Sequence, residues 1–216
     1  MAAIKQIKCG MVNCFIIAGE RGSVLVDTAV VRYRDMLLQT AKRENVKLIF
    51  HTHGHVDHIG NTATLMEQLS VPCAMHEADA ETVKNPKAWV YHANTFLGKM
   101  IVASTASSKM YHAPQFSVER FFEGGETLEE FGMDAKVVAL PGHTRGSLGI
   151  LVDGKDFIVG DAMFNVLKPT PARLYEELSP MMESVDEIKN SGCETIYPGH
   201  GKPFSAKEYF RSAISG

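Results

Sequence analysis

VKLIFHTHGHVDHIG, residues 46–60, decides how this chain is read. VKLIF is a short apolar run of strand length, and it predicts a buried β-strand. Directly after it, His53, His55, Asp57 and His58 crowd four titratable side chains into six residues. A lone core histidine is usually a satisfied structural residue, but four such groups together need another account. Burying each without a partner costs roughly 2–7 kcal/mol. A divalent metal removes that cost, because it accepts neutral imidazole nitrogens and carboxylate oxygens at about 2.0–2.2 Å.

The spacing supports metal binding. His53 and His55 alternate and can point the same way from an extended segment. Asp57 and His58 are adjacent and diverge, which suggests two metals. Three further segments offer donors at strand tips: His143 in PGHTRG, Asp161 in IVGDAM and His200 in IYPGH. In α/β architectures, sites gather at the carboxyl ends of strands. Glycine precedes His143 and His200, as well as Asp161, and lets the backbone approach closely.

The rest of the chain is mixed α and β, so helices are expected to pack on sheets. IKQIKC, NCFIIAG and SVLVDTA predict strands. VVRYRDMLLQTAKREN carries Val31, Met36, Leu37 and Ala41 at helical spacing. Gly60 to Leu69 predicts a helix and VPCAMH a strand. SLGILVDGKDFIVGDAM predicts two strands around an Asp-Gly turn. Ser179-Pro180 is expected to start a helix, and Ser205 with Glu208 to make a capping box for a final one. Asn85-Pro86 opens a segment expected to form a helical cap over about residues 85–116 within a single domain of residues 1–216.

Composition narrows the function classes. The 216 residues are 45% hydrophobic and 22% charged, as in a globular chain with a sizeable core. The net charge of −3 gives no general drive toward nucleic acid or anionic lipid, so neither is expected as a partner. No apolar run of about 18 residues is present, and the start lacks a secretory h-region. The four cysteines, with no CxxC pair, suggest free thiols in a reducing compartment. A cytoplasmic enzyme acting on a small molecule is expected, in an undetermined oligomeric state that includes a homodimer.

HTHGHVDH, LPGHTRGS, VGDAM and YPGHG resemble the metal-binding motifs of the metallo-β-lactamase superfamily, over about Asn13 to Phe204. The resemblance implies an α+β fold, a four-layer αβ/βα sandwich of two mixed sheets with the site at one edge. It implies that His53, His55 and His143 hold one metal, that Asp57, His58 and His200 hold a second, and that Asp161 bridges them. Asp27, in VLVDTA, resembles an early strand-end aspartate that lies near the site without being a main ligand. Two zinc ions are the leading expectation, with iron or manganese as alternatives.

The expected activity is metal-dependent hydrolysis of an ester, thioester or lactone-type bond by a metal-bound hydroxide, with Asp57 also orienting the nucleophile. The leading branch is glyoxalase II-like, without the C-terminal helical domain. Lactonase-like members carry a tyrosine at the position of Phe164, which disfavours lactones. The alternative is a persulfide dioxygenase of the same superfamily that uses one iron. His51 is expected to pack behind the ligands, and His76 to end a strand. Lys168 and Arg173 are read either as a carboxylate clamp or as solvated charges.

Overall fold

The computed structural model describes residues 2–84, 92–93 and 115–214. The chain opens with an antiparallel hairpin, β1 (Ala3–Cys9) and β2 (Val12–Ala18), followed by β3 (Ser23–Val26). A 3-10 turn at Val31–Tyr33 leads into α1 (Arg34–Arg43). Then come β4 (Val46–Phe50), α2 (Val56–Ile59), α3 (Thr62–Leu69), β5 (Cys73–Met75) and α4 (Glu77–Lys84). The second half holds β6 (His92–Ala93), β7 (Arg120–Phe121), β8 (Ala135–Ala139), β9 (Leu148–Val152) and β10 (Asp156–Asn165). It closes with β11 (Thr170–Pro171), β12 (Leu174–Tyr175), α5 (Leu178–Asn190), β13 (Thr195–Gly201), β14 (Phe204–Ser205) and α6 (Ala206–Ile214).

Among the described residues, twelve strands hydrogen-bond along one mixed path, β7-β5-β4-β3-β2-β13-β10-β9-β8, with β1, β11 and β14 attached at the side. The path is curled, and three packed clusters show how. Inward side chains of the first half (Phe15, Val24, Val26, Leu48, Phe50) share one core with those of the second (Val137, Leu148, Ile150, Val152, Ile158). The outer face of the first half packs on Leu37 and Ala41 of α1 and on Leu65 of α3. The outer face of the second packs on Val185 and Ile188 of α5 and Ala206 of α6. Helix, sheet, sheet, helix is the expected four-layer order.

Alternation explains which face goes where. In β8 the buried positions Ala135 and Val137 alternate with exposed Lys136. In β2 and β3 every residue but Ala18 is buried, as a strand covered on both faces requires. The β9–β10 turn holds Asp153 at φ 50 and Gly154 at φ 65, the paired positive angles of a tight hairpin turn.

Several local expectations are corrected. The segment after β4 is not a simple loop, because Val56–Ile59 makes one helical turn. Residues 77–84, unassigned from the sequence, form α4. The helix expected at Ser179 starts at Leu178, and Ser179 Oγ bonds Glu183 at 3.1 Å instead of capping. Ser205 does accept the Glu208 amide, at 3.3 Å. Most of the helical segment expected over 85–116 lies outside the described residues; within it, His92–Ala93 is extended and pairs with β12. The cysteines are free and buried, as expected.

Ile150 is fully buried where the two sheet halves meet, whereas Lys136 is solvent-exposed. Ile150→Ala is expected to cost about 2–5 kcal/mol in urea denaturation. Lys136→Ala is expected to stay within about 0.5 kcal/mol. Equal effects would refute the assignment of the inner face.

Candidate metal centre

The site forms where the two sheet halves meet at their edge. His200 near the end of β13 pairs with Val12 at the start of β2. Asn13 locks this seam by donating to the carbonyls of Pro198 and Gly201, both at 2.8 Å. On the other side, the Leu148 amide donates to the Thr52 carbonyl at 2.7 Å, tying the segment after β4 to β9. Ladder pairing continues one residue past β4, with the His51 amide on the Ala74 carbonyl at 2.9 Å. The chain then turns helical, and the His55 carbonyl accepts the His58 and Ile59 amides.

Two glycines make room. Gly160 sits at φ +53, and a side chain there would meet Thr52 Cβ at 2.7 Å. A side chain at Gly199 would strike the Asp161 carboxylate. The register of β10 against β13 slips on both sides of Gly160, a bulge that re-aims Asp161 inward.

Seven side chains converge, in two adjoining groups. His53, His55, His143 and Asp161 make one; Asp57, His58 and His200 make the other. Asp161 faces both, with Oδ2 at 3.5 Å from His143 Nε2 and 3.2 Å from His200 Nε2. Its Oδ1 lies 3.6 Å from His58 Nε2.

Backbone and side-chain oxygens fix which ring nitrogen points inward. His143 Nδ1–H donates to the Leu174 carbonyl at 2.8 Å, and His200 Nδ1–H to the Met11 carbonyl at 2.9 Å. His58 Nδ1–H donates to Asp27 Oδ2 at 2.8 Å, and His53 Nδ1–H to Thr52 Oγ1 at 2.9 Å. Thr52 passes its own hydroxyl proton to Asp27 Oδ2 at 2.8 Å. Four Nε2 atoms are therefore aimed into the centre.

His55 Nδ1 lies 3.0 Å from both His53 Nε2 and His143 Nε2. A single proton there can serve only one of them, and Asp161 Oδ1 is buried without a hydrogen-bond donor. Divalent ions fit these residues: they satisfy inward lone pairs and a buried carboxylate oxygen together.

The charge balance differs between the two groups. Burial pushes His53 and His55 well below the ordinary imidazole range, and neighbouring imidazoles push the same way. Burial also lowers His143. For His58, burial works against the charged form, but Asp161, Asp27 and Asp57 outweigh it and raise the pKa to about 10. His200 is raised against its burial by Asp161. Burial would push Asp161 up, yet His200 and His58 hold it well below the carboxylate range.

All seven residues singled out from the sequence are brought together. Asp27 sits behind them, fully buried, and also accepts the Thr52 amide at 2.9 Å. His51 packs behind as expected, with Nε2 on Thr62 Oγ1 at 2.9 Å and Nδ1 3.6 Å from Asp27. His76 follows β5, its ring accepting the Ala78 amide at 3.1 Å, and belongs to neither group. Lys168 and Arg173 are exposed. His112 lies outside the described residues.

The residue that sequence reasoning missed is Asp79, 2% exposed and hydrogen-bonded to both ligand loops. Nothing in the local pattern of MHEADA marks Asp79, because its partners Gly54, Thr144 and Gly146 lie on loops far away in the chain.

The protonation pattern predicts different pH slopes. His53, His55 and His143 carry lone pairs at neutral pH. His58, with its pKa raised, keeps its proton from pH 7 to 9 and must release it on binding an ion. Affinity at the Asp57/His58/His200 group is therefore expected to rise about tenfold per pH unit over that range, and affinity at the three-histidine group to rise less. Calorimetric zinc titrations in two buffers of different ionisation heat read the proton count; equal release at both groups would refute this pattern.

Comparison with known proteins agrees with this geometry. The family model of the metallo-beta-lactamase superfamily matches residues 7–200. A probable metallo-hydrolase of Methanocaldococcus jannaschii is 23% identical over 197 residues, covering 88% of this chain and 87% of that protein. A hydroxyacylglutathione hydrolase of Crocosphaera subtropica is 27% identical over 205 residues, 89% of this chain; the chain spans only 62% of that relative's length. Among solved structures, one in a di-iron-bound form superposes with a TM-score of 0.71 at 22% identity, covering 97% of both chains. A B3 metallo-beta-lactamase superposes at 0.76 with 19% identity, again covering 97% of both. The match covers most of the chain and spans every one of the convergent residues, so the chain belongs to the metallo-beta-lactamase superfamily.

Proposed function

We propose that this chain is a dinuclear metallohydrolase that cleaves an ester, thioester or lactone-type bond of a small molecule, with glyoxalase II-like thioester hydrolysis the leading reading. The observation that carries it is the convergence of two donor groups on one buried point with Asp161 turned toward both. In this reading His53, His55 and His143 hold one ion and Asp57, His58 and His200 the other, with Asp161 shared. Zinc is the leading ion, and iron or manganese suit the same donors. When bound, such a pair supplies Lewis acidity that polarises a carbonyl and makes a hydroxide nucleophile available near pH 7.

The chain's own residues supply the rest. Asp27 keeps His58 oriented and, through Thr52, holds His53 in the matching tautomer. Asp57 has the most solvent-accessible side chain of the two carboxylates, at 38% against 4% for Asp161. In this reading Asp57 holds the second ion and orients the nucleophile through its other carboxylate oxygen. Phe164 stands edge-on to His200, ring centroids 5.2 Å apart, and to His143 at 6.2 Å. That apolar wall lacks the hydroxyl donor that lactonase-like members, with a tyrosine at this position, offer a substrate carbonyl, so lactones are the least favoured of the three classes. The hydrolase names of the sequence relatives support the same reaction class.

Elemental analysis of native protein, followed by an ester, thioester and lactone panel with oxygen-uptake controls, tests this reading. Two ions per chain and thioester turnover without oxygen uptake are expected. One iron per chain with oxygen consumed on a persulfide would replace hydrolysis with the dioxygenase alternative.

Asp161→Ala is expected to release at least one ion and lower turnover by more than about a hundredfold, beyond the loss an outer partner produces. Wild-type turnover in that variant would sink the shared-ligand reading. Chelation should abolish activity and lower the melting temperature, since ions that bind only the folded chain stabilise it.

A further inference from the structure

Asp79 has no place among the seven convergent side chains, yet at 2% exposed it is more deeply buried than Asp161 at 5%. It lies in the first turn of α4. Its Oδ2 accepts the Gly54 amide at 2.7 Å and the Thr144 hydroxyl at 2.8 Å. Its Oδ1 accepts the Gly146 amide at 2.9 Å. Gly54 lies between His53 and His55, and Thr144 follows His143. One carboxylate thus bridges the two loops that supply all three histidines of the first group.

The contacts are built for this grip. A side chain at Gly146 would come within 2.7 Å of the Asp79 carboxyl carbon, so glycine allows the loop to close on it. Thr144 spends its single hydroxyl proton on Asp79. Its hydroxyl oxygen is in turn within 2.8 Å of Ser147 Oγ, which accepts the Thr144 amide at 3.1 Å. Hydrogen bonds to a charged acceptor are shorter and stronger than neutral ones. Each loop is glycine-containing, and beside the Leu148–Thr52 backbone bond the Asp79 carboxylate joins the two through three further hydrogen bonds. Coordination requires the separation of His53 and His55 from His143 to be held closely.

We propose that Asp79 is a positioning residue that fixes the spacing of the His53–His55 and His143 loops and so sets divalent-ion affinity at the three-histidine group, leaving the Asp57/His58/His200 group little affected. The proposal rests on the ligand reading given above. Asp27 serves the second group by direct contact with His58; among the described residues, Asp79 reaches the first group through the Gly54 and Gly146 amides and the Thr144 hydroxyl.

The test is zinc titration of the full chain, freed of metal, against a competing chelator. Asp79→Asn keeps the size but turns an amide NH2 toward one of the three donors. Thr144→Val removes one donor alone and carries the test if the first variant does not fold. Each is measured in a His200→Ala background, which leaves the three-histidine group to bind, and in a His143→Ala background, which leaves the other.

In the His200→Ala background, D79N is expected to weaken binding by about 10–100-fold, the range seen when an outer-shell partner is lost, with T144V shifting the same way by less. In the His143→Ala background both are expected to stay within about threefold. Equal weakening in both backgrounds would mean a merely structural role and overturn the proposal. Unshifted affinity in the His200→Ala background, in D79N or in T144V alone, would overturn it too. A wild-type chain that takes up no zinc would instead overturn the ligand reading beneath it, and this proposal with it.

Discussion

Five imidazoles and two carboxylates meet at one buried point, and the constraint on everything around them is the direction of their lone pairs. An imidazole whose Nδ1–H is tied to an oxygen turns Nε2 the other way, and that atom becomes an acceptor once the ring is neutral. Four of the five are tied in this way, to Met11, Leu174, Thr52 and Asp27. Acceptors aimed at acceptors are unfavourable in a low-dielectric site unless a cation stands between them. The surrounding shell of carbonyls, hydroxyl and carboxylate therefore does as much to define the centre as the seven side chains do.

The fold exists to bring these oxygens and nitrogens to one edge. A curled sheet whose halves share a core brings together the end of β4, the bulged middle of β10, where Asp161 sits inside the strand and not at its expected tip, and the last residues of β13. The seam between β2 and β13 lets a hairpin carbonyl, Met11, reach His200. The short β12 strand supplies the Leu174 carbonyl for His143. Bulging at Gly160 and the bare backbone of Gly199 provide the space that larger residues would fill.

Much of this was legible beforehand. The apolar run of VKLIF, the alternation in AKVVAL and the Asp-Gly turn report burial on local periods, and the strands appear where those periods place them. The seven donors were legible because their residue types and strand-tip setting are unusual together. Helix boundaries were less so. Val56–Ile59 forms a helical turn with the His55 carbonyl accepting the His58 and Ile59 amides, and just before it Asp27 holds the Thr52 amide, a long-range contact that no local pattern encodes. Residues 77–84 carry too few apolar residues to signal a helix, and they fold as one because Ala80 and Val83 pack on Ile59 and Met75.

Sequence by itself determined which residues gather at the candidate centre, because a cluster of histidines and aspartates has few explanations other than a metal, and where the main strands run, because apolar runs bounded by turn residues mark them locally. Tertiary structure alone decided which nitrogen of each ring faces inward and that Asp79 joins two loops 25 and 65 residues away from it. Those facts depend on hydrogen bonds between segments distant in the chain. Their partners are mostly backbone carbonyls and amides, which every residue possesses and no residue letter records.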